Sequence, residues 1–197
     1  MRYPVEQKAE THEKIVEAAA RSFREHGSEG QGLALLMKDV GLTHGGFYRH
    51  FKSKEDLYVD AVTRGFQQTG DRLLAAARRA PKGEQLRAII ESYLSIQHLE
   101  DPGSGCVLAT LAADIARQRP AVRARVNAAM KSYRERLLPF LPGKNTSEKT
   151  RQFIVLFPAM AGILMTARAV SDSAARKTIL ATARHFYIGA FANQGRK

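Results

Sequence analysis

Apolar positions along this chain recur at intervals of three and four residues, without sustained strict alternation, and that spacing belongs to helices. Between Thr11 and Glu25 a single stripe holds Ile15, Ala18, Ala19, Ser22 and Phe23, and Gly27 follows where a left-handed residue can end a helix. Leu33 to Val40 predicts a short second helix with Leu33, Leu36, Met37 and Val40 turned inward. Gly41 permits a sharp turn, Thr43 can cap a third short helix, and Phe47 and Phe51 lie four residues apart to anchor it. Ser53-Lys-Glu-Asp56 resembles a capping box, and the apolar positions after it extend a fourth helix to about Arg79.

Pro81-Lys-Gly83 breaks the pattern, and Glu100-Asp-Pro-Gly-Ser-Gly105 is the clearest loop. Helices are predicted over 84–98, 106–117 and 121–138. After the break at Pro142-Gly143, Asn145 and Glu148 stand at capping-box spacing, and two last helices cover roughly 148–170 and 174–192. The fold class is all-α.

The segment from Leu36 to Asp56 carries the most chemistry. Two short helices joined by a turn of three or four residues make a helix-turn-helix, whose second helix can enter a DNA major groove. Thr43, His44 and Arg49 can donate to bases or phosphates, while Tyr48 and Lys52 suit phosphate. Gly45-Gly46 costs a helix about 1 kcal/mol per glycine relative to alanine, and close approach of the backbone to DNA is one compensation. The plainer alternative is a glycine turn bearing a solvated basic face.

Charge changes this picture in its distribution more than in its sum. The formal net charge is +12, which favours a polyanionic partner, yet residues 1–60 are formally −1, residues 61–142 +6 and residues 143–197 +7. Thr43 to Lys54 nevertheless holds three Lys/Arg and no acid. One cysteine excludes an internal disulfide framework and fits a reducing cytoplasm. The strongest apolar run, Phe153 to Met165, spans 13 residues, below the roughly 17 to 25 of a membrane helix, so no membrane partner is expected. The six histidines are scattered. No spacing supports a metal site, a cofactor, or a nucleophile–base pair, so no catalytic residues are expected.

Val40-Gly-Leu-Thr-His-Gly-Gly-Phe-Tyr-Arg-His-Phe-Lys-Ser-Lys-Glu-Asp-Leu57, with Phe23 and Gly27 before it, resembles the signature of the tetracycline-repressor (TetR) family over about residues 11 to 62. The resemblance implies a helix-turn-helix DNA-binding domain over 1–56 and a helical ligand-sensing and dimerisation domain over 57–197. It further implies a homodimeric transcriptional regulator, usually a repressor released from a pseudo-palindromic operator by a small effector. Thr43, His44 and Gly45 then occupy positions near bases, and Tyr48, His50 and Lys54 positions of backbone contact or packing. Gly32-Leu-Ala-Leu-Leu-Met37 departs from the family, which has a Thr or Ser cap there, and exposes or locally packs Leu35.

In the second half, Tyr93, His98, Leu108, Leu111, Tyr133 and Phe157 can line an effector pocket, with Asp114 a further polar contact, although the same residues suit ordinary core. Cys106 begins a predicted helix, where the N-terminus stabilises an anion; it is a candidate oxidant or electrophile sensor or a buried structural thiol. Ile154, Phe157, Ala161, Leu164 and Met165 form one face of the penultimate helix, and Ile179, Ala183, Phe186 and Ala190 one face of the last, candidates for a four-helix dimer interface. The alternative is a helical protein-interaction or small-molecule-binding module without sequence-specific DNA binding. The effector and the operator sequence are unknown from the chain.

Overall fold

Helix α1 (Val5–His26) buries Ile15, Val16, Ala19 and Phe23 and ends at Gly27 with φ +80°. The computed structural model describes residues 5–30 and 32–193, and every regular element among them is helical. Helix α2 (Leu33–Asp39) starts at Gly32 without a side-chain cap and buries Leu36 and Met37. Gly41, at φ +74°, turns the chain into a 3₁₀ segment over His44–Arg49. Helix α3 (Lys54–Arg79) begins where the Asp56 amide donates to Ser53 Oγ (3.1 Å), as the capping-box spacing predicts.

The remainder comprises α4 (Gln85–Tyr93), α5 (Ile96–Glu100), a 3₁₀ turn at Pro102–Ser104, α6 (Leu108–Arg117), α7 (Pro120–Leu137), a 3₁₀ turn at Leu138–Phe140, α8 (Thr146–Ala169) and α9 (Ser173–Tyr187), which closes in a π turn over Ile188–Ala192. Helix α3 is the spine, packed along α1, α4 and α7, while α8 and α9 pair at the other side. The core follows that spine through Leu57, Val62, Phe66 and Leu73, then Ile89, Ile90 and Tyr93 of α4 and Leu156, Met160 and Leu164 of α8.

Three expectations need correction. The helix predicted over 84–98 is broken after Tyr93, because Ser95 Oγ caps a new helix by accepting from the His98 amide (3.1 Å) and the His98 ring takes the Tyr93 carbonyl (2.6 Å). Helix α6 starts at Leu108 rather than Cys106, whose amide is diverted to a side chain. Helix α8, 24 residues long, is apolar and long enough by composition to cross a membrane, which the 13-residue run did not suggest. In the structure one side of it packs into the core, where seven residues including Phe153, Leu156 and Leu164 are buried, and Arg168 is tied to three carbonyls of neighbouring segments.

Salt bridges and hydrogen bonds join the first three helices to the rest. Asp114 of α6 accepts from the Ser28 amide (3.1 Å), Arg125 of α7 meets Asp56 (2.7 Å), and Arg119 pairs with Glu55. The Asp56 carboxyl is held below the usual range by its hydrogen bonds from Arg125 and Ser53.

Candidate nucleic-acid interface and interior cavity

The 43–54 segment hangs on two phenylalanines. Phe47 and Phe51 are buried at 0% and 4% exposure with ring centroids 5.3 Å apart, and His12 of α1 stacks on Phe51 at 4.5 Å. The predicted short helix is wound as 3₁₀, with the Gly46 amide donating to the Thr43 carbonyl (3.0 Å) and to Thr43 Oγ1 (3.3 Å).

Around this anchor Thr43, His44, Gly45, Tyr48, Arg49, Lys52 and Lys54 are all exposed, with Tyr48 at 64%. Arg49, Lys52 and Lys54 make no ion pair among the described residues. The Tyr48 ring leans edge-on against Phe47 and His44, leaving its hydroxyl outward. His50 differs from the others: its ring turns inward beside His12, its Nδ1 is buried without a hydrogen-bond partner among the described residues, and burial, aided by His12, Lys8 and Arg49, lowers its pKa.

Gly45 and Gly46 lack an internal reason to be glycine. Neither has positive φ. A Cβ on Gly45 would meet nothing within 4 Å, and one on Gly46 would meet only Thr43 Oγ1 at 3.6 Å. Gly41, by contrast, is fixed by its backbone at φ +74°.

A second site lies among α4, α6, α7 and α8. There Tyr93, Cys106, Leu108, Met130, Tyr133, Phe153 and Phe157 wall a cavity of about 400 Å³. Tyr93, Phe153 and Tyr133 each pack against Phe157, at 6.0, 4.4 and 6.0 Å between centroids. The Tyr133 hydroxyl is buried with no hydrogen-bond partner among the described residues, and burial pushes both tyrosine pKa values up.

Four of the six predicted pocket residues, Tyr93, Leu108, Tyr133 and Phe157, thus meet in one place. His98 and Leu111 do not line this cavity. Leu111 is core at 1% exposure, and Asp114 is occupied with Ser28 and Arg117. His98 is a structural histidine: its Nε2 accepts from the Cys106 amide (2.8 Å), so the proton sits on Nδ1 and is donated to the Tyr93 carbonyl. Burial and nearby arginines lower its pKa to about 3. Cys106 itself is buried at 2% exposure in the cavity wall, two residues ahead of α6. Missed from sequence was Phe153, whose only signal was its helical spacing from Phe157.

The predicted dimer residues divide. Phe157, Ala161, Leu164 and Ala183 are buried within the chain, Ile179 and Ala190 are half-buried, and Ile154, Met165 and Phe186 stand out at 58%, 50% and 65% exposure. Val155, at 60%, joins the outward side. The first group therefore packs the subunit itself, and only the second presents an apolar surface on α8 and α9.

Residues 15–61 match the family described as bacterial regulatory proteins, tetR family, and residues 83–141 a tetracyclin repressor-like C-terminal domain. The chain is 31% identical over 91 residues to the HTH-type transcriptional regulator TtgR of Pseudomonas putida, covering 46% of this chain and 43% of that protein. The chain therefore spans less than half the length of that relative. A TetR transcriptional regulator from Chloroflexus aurantiacus superposes with TM-score 0.71 at 23% identity, over 94% of this chain and 97% of that one. The transcriptional regulator FadR from Bacillus subtilis, solved in complex with stearoyl-CoA, superposes at 0.61 with 18% identity, over 87% and 96%.

Proposed function

Because the chain belongs to the TetR family of bacterial regulatory proteins, we propose that it is a sequence-specific DNA-binding transcriptional regulator, acting as a homodimer. One observation carries this reading above the others: Arg49, Lys52 and Lys54 are exposed, and make no ion pair among the described residues, around two glycines that internal packing does not require. Omitting Cβ at Gly45 lets the backbone approach a phosphate or base edge closely, at a position where the protein gains nothing from the omission. Thr43, His44 and Gly45 read the major groove, while Tyr48, Arg49, Lys52 and Lys54 hold phosphates. His50, facing inward, braces the turn. The 43–54 segments of the two subunits meet successive turns of a pseudo-palindromic operator.

The aromatic cavity is the proposed effector site. Its size suits a small organic molecule, and its wall, mostly rings and aliphatic side chains with Asn127, Lys131 and Arg134 among them, favours a largely apolar body. The unpartnered Tyr133 hydroxyl calls for one hydrogen-bond acceptor on that molecule. Release from DNA requires the effector to bind the DNA-incompatible arrangement more tightly than the DNA-bound one. The salt bridges and hydrogen bonds Asp114–Ser28, Arg125–Asp56 and Arg119–Glu55 supply mechanical links between the two regions.

Selection of genomic fragments by the purified protein tests the reading and yields the operator. Affinity for that operator is then compared with a scrambled duplex across salt concentrations. His44→Ala is expected to narrow the gap between the two by about 1 to 3 kcal/mol. Equal affinity of the unaltered protein for all duplexes would reject sequence-specific regulation.

A further inference from the structure

On the opposite side of His98 from the aromatic cavity lies a second one of about 400 Å³, walled by Arg21, Arg24, Arg72 and Arg79 together with Glu17 and Ser92. It sits where α1 meets α3, α4, α5 and the 102–104 turn, and it shares no lining residue with the aromatic cavity.

Although Glu17 lies in the wall, Arg24 and Arg72 make no hydrogen bond or ion pair to a carboxylate among the described residues. Arg24 is buried at 4% exposure, and its donors go to neutral acceptors: the Ala20 carbonyl (2.8 Å), the Gly105 carbonyl (3.1 Å) and Gln68 Oε1 (2.6 Å). Arg72 gives Nη1 to the Ser104 carbonyl (2.8 Å), and its buried Nε and Nη2 have no hydrogen-bond partner among the described residues. Burial lowers both guanidinium pKa values, Arg24 to about 10, and an arginine side chain keeps its charge at neutral pH. Arg79, at the exposed end of α3, makes no ion pair among the described residues. The carboxylates nearby are committed elsewhere. Arg21 already takes Glu25 (2.8 Å) and Asp101 (3.2 Å), and Glu17 serves Arg64 and Gln68.

A buried cation that is solvated only by carbonyls is expensive, and an anion brought alongside offsets that expense. We propose that this cavity is a binding site for a small molecule bearing an oxyanion, a carboxylate or a phosphate. Arg79 and the Ser92 hydroxyl hold the head directly, and Arg24 and Arg72 supply the positive field behind it. Guanidinium forks match both oxyanions in geometry. The site lies apart from the proposed effector cavity and from the DNA-reading turn, so it can be tested without DNA.

The full-length protein is titrated separately with inorganic phosphate and with acetate, ionic strength being held constant with sodium chloride so that general screening does not vary. A saturable rise in unfolding temperature is expected with at least one anion. Phosphate alone, acetate alone or both identifies the head group, and each result supports the site. Arg79→Gln, which removes no buried contact, is expected to weaken the anion by about tenfold to a hundredfold. Arg72→Gln is expected to do the same. Arg123→Gln, an exposed arginine of α7 with the same change in net charge, leaves the affinity unchanged. No saturable rise with either anion, or an equal loss in Arg79→Gln and Arg123→Gln, overturns the proposal.

Discussion

Arg49, Lys52 and Lys54 stand in solvent around a turn pinned by Phe47 and Phe51, whereas Arg24, Arg72 and Arg168 lie among the helices, and the hydrogen bonds they do make go to carbonyls and an amide oxygen. The exposed group retains most of its hydration, so little is lost by leaving it unpaired, and its charge is available to whatever approaches. The interior group has given up water, and each hydrogen bond it makes replaces part of that hydration. Exposed cations therefore report a partner through position and mutual spacing. Buried cations report one through what their neighbours fail to neutralise. Both conditions occur in this chain, about one helix length apart along α3.

The contrast between interior and surface can be broken most forcefully at His98. Its folded pKa of about 3 lies below the roughly 6.5 of an unfolded histidine. Between those values the unfolded chain holds the extra proton, so stability is full above about pH 6.5 and declines as pH falls towards 3. The slope approaches about 1.4 kcal/mol per pH unit, and the accumulated loss is on the order of several kcal/mol. Urea unfolding between pH 7 and 3.5 measures it, and His98→Gln is expected to flatten the curve. An unchanged slope would mean that His98 is not the neutral hydrogen-bonding hub of this interior.

The next largest effect is expected on the outer face of α8 and α9. Phe186→Asp alters a residue 65% exposed in the single chain, so helical content should persist. If that face joins two subunits, the substitution weakens the dimer by about 2 kcal/mol or more, read by sedimentation. A dimer of undiminished strength would move the interface elsewhere.

Gly45→Ala sharpens the comparison from the other side. The added methyl meets nothing within 4 Å and the backbone φ is negative, so thermal stability should hold or rise by up to about 1 kcal/mol. Operator affinity is expected to fall by about 1 to 3 kcal/mol if the backbone there lies against a base edge. Stability and affinity moving together would place the glycine's role inside the protein. Smallest is Tyr48→Phe, expected to weaken operator and scrambled duplex alike by about 0.5 to 1.5 kcal/mol, because a phosphate hydrogen bond positions without reading sequence. A loss confined to the operator would reassign the hydroxyl to base reading.

Local chemistry made much of this legible beforehand. Gly27 and Gly41 are where the backbone turns left-handed, and Ser53 and Asn145 accept from the amides three residues on, as their spacing foretold. Phe47 and Phe51 anchor the turn because aromatic residues four apart have little else to do on so short a segment. What escaped depends on side-chain hydrogen bonds to the backbone and on packing that apolar spacing does not encode. The apolar spacing runs without fault through Leu86, Ile89, Ile90, Tyr93 and Leu94, and it is the Ser95 cap together with the His98 ring taking the Tyr93 carbonyl that ends α4 there. Helix α8 is apolar around most of its circumference, so its sequence could not separate Leu164, packed within the subunit, from Met165, facing outward. Arg24 and Arg72 carried no signal in the sequence, because the carbonyls they meet belong to Gly105 and Ser104, far along the chain.

Helix α3 starts five residues after Arg49 and runs 26 residues to Arg79 in the wall of the arginine cavity. At about 1.5 Å per residue it is a rod close to 39 Å long. Pivoted at its far end, such a rod tilted by about 5° carries its first turn through roughly 3.4 Å, which is one base-pair step along a duplex. In a two-fold dimer the displacement enters twice, once for each rod. The distance between the two 43–54 turns is therefore a steep function of a shallow angle, and the angle is fixed by whatever packs against the last turns of α3.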